Sequence, residues 1–128
     1  MSTLELGKKI VDCCNRAAFL EAVNAHYAKD VVSVEAAEMG PEMPREMSGI
    51  DAIRGKNQWF IDNHELHSCK ASGPYLHAPD RFAIFFEIDH TAKVGPTAGK
   101  RTQGQEVAVY TVRGGKIARE EFYYSMPG

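Results

Sequence analysis

The residues of this chain best suited to chemistry are acidic side chains set among aromatic ones in its second half. Between Arg81 and Thr91 the side chains alternate into two sets, as they do on the two faces of a β-strand. One set is Phe82, Ile84, Phe86, Ile88 and His90, and the other is Ala83, Phe85, Glu87, Asp89 and Thr91. Further on, Val107, Val109 and Thr111 oppose Glu106, Ala108, Tyr110 and Val112. Each segment therefore offers a largely apolar face and a face on which acidic and apolar side chains mix. A carboxylate walled by aromatic rings loses hydration, which disfavours its charged form and raises its pKa. Such a group can give or take a proton near neutral pH, which is what general acid–base catalysis requires. The competing reading puts these carboxylates at a solvated edge or in pairs with Arg16, Arg81 or Arg119.

Other reactive residue types are less well placed. His64-Glu-Leu-His67 has its histidines three apart at the expected end of a helix, whereas a helical zinc signature needs them four apart. These read as surface polar residues. His90 alternates with the apolar set at a strand end and reads as a satisfied edge histidine, and His26 can face either way. Gly95-Pro-Thr-Ala-Gly99 precedes a strand rather than a helix, so it is no phosphate loop, and no serine sits in a Gly-x-Ser-x-Gly elbow. No nucleotide, flavin, metal or other cofactor is implied. Cys13 and Cys14 are adjacent on an expected helix, where side chains point about 100° apart, so they read as buried inert thiols.

The elements that must position these groups follow from pattern. A chain of 128 residues suits one domain, spanning residues 1–128, and can bury a core without staples. A net charge of −2 leaves no electrostatic footprint for nucleic acid or anionic lipid. The longest apolar runs, such as Phe82 to Phe86, are too short to span a membrane. Lys8 and Lys9 are followed by no apolar leader, so a cytoplasmic location is expected.

Ser2 and Glu5 have the spacing of a capping box, opening a helix with Leu6, Ile10, Val11 and Cys14 on one face. Asn15 is expected to cap a second helix carrying Phe19, Leu20, Val23 and Tyr27, and Val31 to Val34 reads as a strand. Glu38 to Pro44 reads as a loop. Ser48-Gly-Ile-Asp51 reads as another capping box, opening a helix with Ile50, Ile53, Phe60 and Ile61 and ending near Asn63. Strands are expected at Leu66 to Tyr75 (interrupted by Gly73-Pro74), Arg81 to Thr91, Gln103 to Val112 and Lys116 to Tyr124. Gly114-Gly115 joins the last pair as a hairpin turn.

Helices followed by a meander of strands make an α+β domain with helices on one sheet face. If they cover the mixed face, Phe86, Ile88, Val107 and Val109 are left for a second copy of the chain, so a homodimer is expected.

Three segments carry a family resemblance: Tyr27-Ala-Lys-Asp-Val-Val, Gly49-Ile-Asp-Ala-Ile53, and the run from Val112 through Gly114-Gly115 to Tyr124. They resemble SnoaL-like proteins, which belong with ketosteroid isomerase, limonene epoxide hydrolase and scytalone dehydratase in the nuclear transport factor 2-like superfamily. The resemblance runs from residue 6 to residue 125. It implies N-terminal helices packed on a strongly bent, mainly antiparallel sheet that forms a cone-shaped pocket.

Position by position, the isomerase's general base falls on Glu35, and the aspartate of the epoxide hydrolase falls on Glu87. The isomerase's oxyanion-hole acid falls on Ala108, the last-strand aspartate on Phe122 and the hydrolase's arginine on Phe85, all apolar here. Resemblance and strand parity together place Glu35 and Glu87 as catalytic carboxylates. The pocket wall expected around them is Tyr27, Trp59, Phe85, Asp89, Glu106, Ala108, Tyr110, Glu120, Phe122 and Tyr124. Glu35 is expected inside, with no cationic partner. The implied function is a cofactor-independent isomerase, cyclase or dehydratase acting on a small apolar or polyketide-like molecule. The alternative is a non-catalytic dimeric module that binds a ligand or another protein.

Overall fold

A computed structural model describes residues 1–38 and 43–125, so Met39 to Glu42 of the expected loop lie outside the described residues. Ser2 opens α1 (Thr3–Asn15) as its spacing predicts: its Oγ accepts the Glu5 backbone N–H at 3.1 Å. α2 spans Phe19–His26 and α3 spans Ile50–Asn63. The strands are β1 (Tyr27–Val34), β2 (Glu46–Ser48), β3 (His64–His77), β4 (Arg81–Ala92), β5 (Arg101–Arg113) and β6 (Lys116–Tyr123).

They form one open, curled sheet in the order β2-β1-β6-β5-β4-β3, with only the β1–β6 pair parallel. β3 is an edge strand, and its register shifts across Gly73-Pro74, where the ring cannot donate to the ladder. Gly114 and Gly115, at φ 59° and 74°, make the turn that pairs Arg113 with Lys116.

Two expected caps are corrected. Asn15 is the last residue of α1, and α2 starts after Ala18 with no side-chain cap. The Asn15 amide instead donates to the Ala71 carbonyl at 3.1 Å and accepts the Ala71 N–H at 2.8 Å, tying α1 to the edge strand. Ser48 ends β2, so Gly49 precedes α3 at φ 91°, and Asp51 binds Arg54 rather than a backbone N–H.

The core lies between the helices and one face of the sheet. Leu6, Ile10, Val23 and Ile53 pack over Phe82, Ile84, Phe86, Ala108, Tyr110 and Ile117. Each large apolar side chain so buried contributes about 2 kcal/mol. A Cβ on Gly7 would sit 2.8 Å from the Pro74 ring, so glycine is what lets α1 lie so close to β3.

This packing corrects the phase of β4. Phe82 faces Tyr110, Ile84 faces Ala108 and Phe86 faces Glu106 across the ladder, so Phe82, Ile84, Phe86, Ile88 and His90 line the helix-covered face. Phe85, Glu87 and Asp89 point outward with Val107 and Val109. The physical reason is that the mixed set of β5 pairs with the apolar set of β4. Burying three large apolar side chains outweighs burying a face that carries two acids.

Candidate active site

The inner face brings three carboxyls and one ammonium together where β1, β5 and β6 pass under α3. β1 sends Ser33 inward, paired with Glu120 of β6, and Glu35 follows two residues on with the same parity. β5 sends Glu106, Ala108 and Tyr110 inward, the last two facing Phe122 and Glu120 of β6. From above, α3 lowers Lys56, one turn beyond the fully buried Ile53.

Lys56 organises one side of the cluster. Its Nζ lies 2.5 Å from Glu35 Oε1, donates to Ser33 Oγ at 2.8 Å and sits 4.9 Å above the centre of the Phe122 ring. The side chains of the pair are only 13% and 18% exposed, so water screens their attraction weakly. The Tyr124 hydroxyl donates to Glu35 Oε2 at 3.1 Å, and the Glu35 backbone exchanges hydrogen bonds with Arg45. Glu35 is therefore inside, as expected, but the premise that it lacks a cation fails.

Glu106 and Glu120 are different. Among the described residues, neither carboxyl makes an ion pair. Burial pushes Glu106 up to about 7, the Glu35 charge adds to the rise, and the Lys56 ammonium opposes it. Burial likewise pushes Glu120 up to about 7. Lys56 and the Tyr27 hydroxyl, which donates to Glu120 Oε2 at 3.2 Å, act against that shift. Glu120 is 3% exposed, whereas Glu106 is half-buried and is the acid of the two that a ligand could reach.

The remaining expected residues separate into two groups. Tyr27, Ala108, Tyr110 and Phe122 are inside, with Tyr110 stacked on Phe82 at 5.0 Å and its hydroxyl held well above its ordinary pKa by burial. Glu87 is exposed on the outer face beside Lys70 and Gln105, and Phe85 shares that face. Asp89 is also on the outer side, where hydrogen bonds at 2.9 and 2.8 Å from Arg101 hold it down to about 2. Trp59 is 39% exposed and packs edge-on against His64, away from the carboxyls. His64 and His67 lie on β3 and bond to the Phe60 carbonyl and Thr91, and His90 Nδ1 is buried with no hydrogen-bond partner, not satisfied as expected. All three cysteines are unpaired thiols.

Lys56 is the residue that sequence reasoning missed. Its signal was present: Ile53, Lys56 and Phe60 stand three and four apart, so the lysine interrupts an apolar stripe instead of lying on the polar side. An open cleft of about 990 Å³ lies apart from the inner carboxyls, between α2, α3 and the start of β1. Among the described residues that line it the one acid is Asp51, which is bound to Arg54.

Comparison with known proteins agrees with this architecture. The chain matches no curated protein. A solved structure from Mesorhizobium loti, described as a candidate SnoaL-like polyketide cyclase, is 35% identical with a TM-score of 0.87, covering 97% of this chain and 100% of that one. A candidate polyketide cyclase from Pseudomonas putida is 19% identical with a TM-score of 0.73, over 98% of this chain and 93% of that one. A protein of ketosteroid isomerase-like fold from Catenulispora acidiphila, solved with trimethylamine, is 19% identical with a TM-score of 0.71, over 95% of this chain and 86% of that one. At that identity the latter two bear on the fold alone. The family model for the SnoaL-like domain matches residues 1–124, and the chain belongs to that family.

Proposed function

We propose that this protein moves protons on a small apolar or polyketide-like molecule, as a cofactor-independent isomerase, cyclase or dehydratase does. The observation that carries this reading is the pair of inward carboxyls, Glu106 and Glu120, both lifted to about 7 and so poised between their acid and base forms at neutral pH. Glu106 is the group that exchanges a proton with the ligand, because it is the more accessible. Glu120, buried against Tyr27, holds a second proton behind it. Glu35 has both oxygens engaged, by Lys56 and Tyr124, so it is a fixed neighbour that adds to the rise burial causes at Glu106 and Glu120. The likeness to a candidate polyketide cyclase supports the substrate class.

The test is deuterium incorporation beside the carbonyl of bicyclic ketones, 2-decalone first, followed by proton NMR in D₂O. The protein should exceed the buffer rate, and Glu106→Gln should lose about a hundredfold or more, the usual worth of one general acid–base group. A wild-type rate equal to buffer across the panel sinks the reading.

A second reading, a binding module without catalysis, is favoured by Ala108, which is fully buried and offers no donor for a developing oxyanion. Binding of the same ketones without exchange would decide for it.

Two further parts of the proposal concern the setting. Phe85, Val107 and Tyr123 form one row across the outer face, with Val107 38% and Tyr123 54% exposed, and they suit a second copy of the chain. Sedimentation should give a dimer at micromolar concentration, and Val107→Glu should split it. Among the described residues no helix is long and apolar enough to cross a membrane. Three free thiols fit a reducing compartment such as the cytoplasm.

A further inference from the structure

The open cleft between α2, α3 and the start of β1 gathers positive charge. Three cations line it, each from a different element: Lys29 from β1, Arg54 from α3 and Lys116 from the start of β6. Ala28 and Lys29 both line it, although neighbours on a regular strand point to opposite faces, because the β1–β6 register shifts between Tyr27 and Val32. Arg54 is held in place by two bonds, its Nε donating to Asn24 Oδ1 and its Nη1 to Asp51 Oδ1, both at 2.8 Å. Lys116 uses one of its ammonium protons on the Ala25 carbonyl, at 2.8 Å. The Lys29 ammonium has no partner among the described residues. Asp30, next along β1, is taken by Arg113 and does not line the cleft. With three cations against the single acid Asp51, the described lining carries a surplus of two positive charges. The same field reaches His26, whose pKa is lowered by burial and then by the charges of Lys116 and Lys9.

We propose that this cleft binds a small organic phosphate, a monoester whose phosphoryl group lies among Lys29, Arg54 and Lys116. The site is separate from the inner carboxyls and stands whether or not they move protons. Charge sets the class of ligand. A phosphate monoester carries about −1.5 to −2 charges near neutral pH, which matches the surplus, whereas a carboxylate brings only one. Chemistry agrees: a guanidinium already fixed by two bonds meets phosphate oxygens through N–H groups in a set geometry, and ammonium groups add point charge. Volume sets the rest of the molecule. At about 990 Å³ the cleft is far larger than a phosphoryl group and reaches the size of pockets that hold organic ligands. Tyr27 and Ile50 offer apolar wall to such a body, and Asn24 and Ser48 offer hydrogen bonds to its polar substituents. A soluble phosphate ester and a lipid headgroup present the same group, and the cleft's depth of organic lining favours the soluble one.

Titration of the intact ¹⁵N-labelled protein with phenyl phosphate at low ionic strength, followed by NMR, tests this. The backbone resonances of Lys29, Gly49 and Ala52 should shift together and saturate, while those of Gly104 and Glu106 on the inner face stay still. Lys29→Ala and Lys116→Ala, both at exposed positions, should each weaken binding about tenfold, the usual worth of a charge-assisted hydrogen bond. Lys100→Ala, an exposed lysine between β4 and β5 and outside the cleft, should leave the affinity unchanged. Benzoate, with one charge, should bind at least several-fold more weakly, and phenol should not bind. The absence of saturable shifts at the cleft overturns the site, and so does a loss in Lys100→Ala equal to that in Lys29→Ala. Benzoate binding as tightly as phenyl phosphate overturns the phosphate assignment. Binding to phosphatidylcholine vesicles containing phosphatidic acid, without binding to phenyl phosphate, overturns the soluble ligand.

Discussion

Two sides of the same inner face treat the same functional group in opposite ways. At the β1 side, Glu35 is held by an ammonium at 2.5 Å and a tyrosine hydroxyl at 3.1 Å. At the β5–β6 side, Glu120 has a single tyrosine hydroxyl, at 3.2 Å, and burial has driven its proton affinity up to about 7. Residue type is constant and the environment is not. One lysine cannot neutralise three carboxyls in a weakly polar space, so the protein settles the balance with protons.

The largest expected effect comes from erasing the unpaired side of that contrast. Glu106 and Glu120 have folded-state values near 7 against an ordinary 4.5, so the folded protein keeps protons that the unfolded chain releases. Stability should therefore be greatest below pH 4.5 as far as these groups are concerned, and fall as pH rises through 7, by about 3 kcal/mol per carboxyl if each titrated alone. Replacing both with glutamine should flatten that decline in urea denaturation between pH 5 and 8. A double variant that declines as steeply as the wild type would contradict the raised values.

Next comes the paired side. Lys56→Met strips Glu35 of its cation and both neighbours of the charge that pulls their pKa values down. It should cost about 2–3 kcal/mol at pH 8, less at pH 5, and move the proton-exchange profile to higher pH. Unchanged stability at pH 8 would mean that the pair is solvated.

A smaller effect is expected from Tyr27→Phe, which removes the hydroxyl that favours ionised Glu120. About 1 kcal/mol should be lost, and carboxyl titration followed by NMR should shift upward, not downward. The smallest effect is at Glu87→Gln, on the exposed outer face. Stability should stay within about 0.5 kcal/mol and exchange should be unaffected. A loss of activity there would overturn the assignment of faces.

What the sequence revealed depended on how local the cause was. Ser2, Gly73-Pro74 and Gly114-Gly115 act on backbone within a few residues of themselves, and each does in the structure what its residue type demands. The phase of β4 did not follow, because both of its alternating sets contain phenylalanine, and the choice between them is made by ladder register and distant helices. A one-residue change of phase moves Glu87, Asp89 and Phe85 to the outer face, while Glu106, Glu120 and Phe122 lie on better-marked strands and share the inner one. Lys56 was hidden by a general truth about lysine: its charge is almost always solvated, so a helical stripe invites one to read past it. Asparagine favours caps, yet the partner of Asn15 is 56 residues away.

That asparagine has a bearing on how the folded chain coexists with others like it. A sheet edge is a template on which any extended polypeptide can stack. By meeting both the N–H and the carbonyl of Ala71, the Asn15 amide imitates one residue of a further strand at that edge. An incoming strand must first displace a group anchored on a helix, and beyond Ala71 it meets the shift in register around Gly73-Pro74. Solubility in a crowded solution thus depends partly on a side chain that has no place in the chemistry.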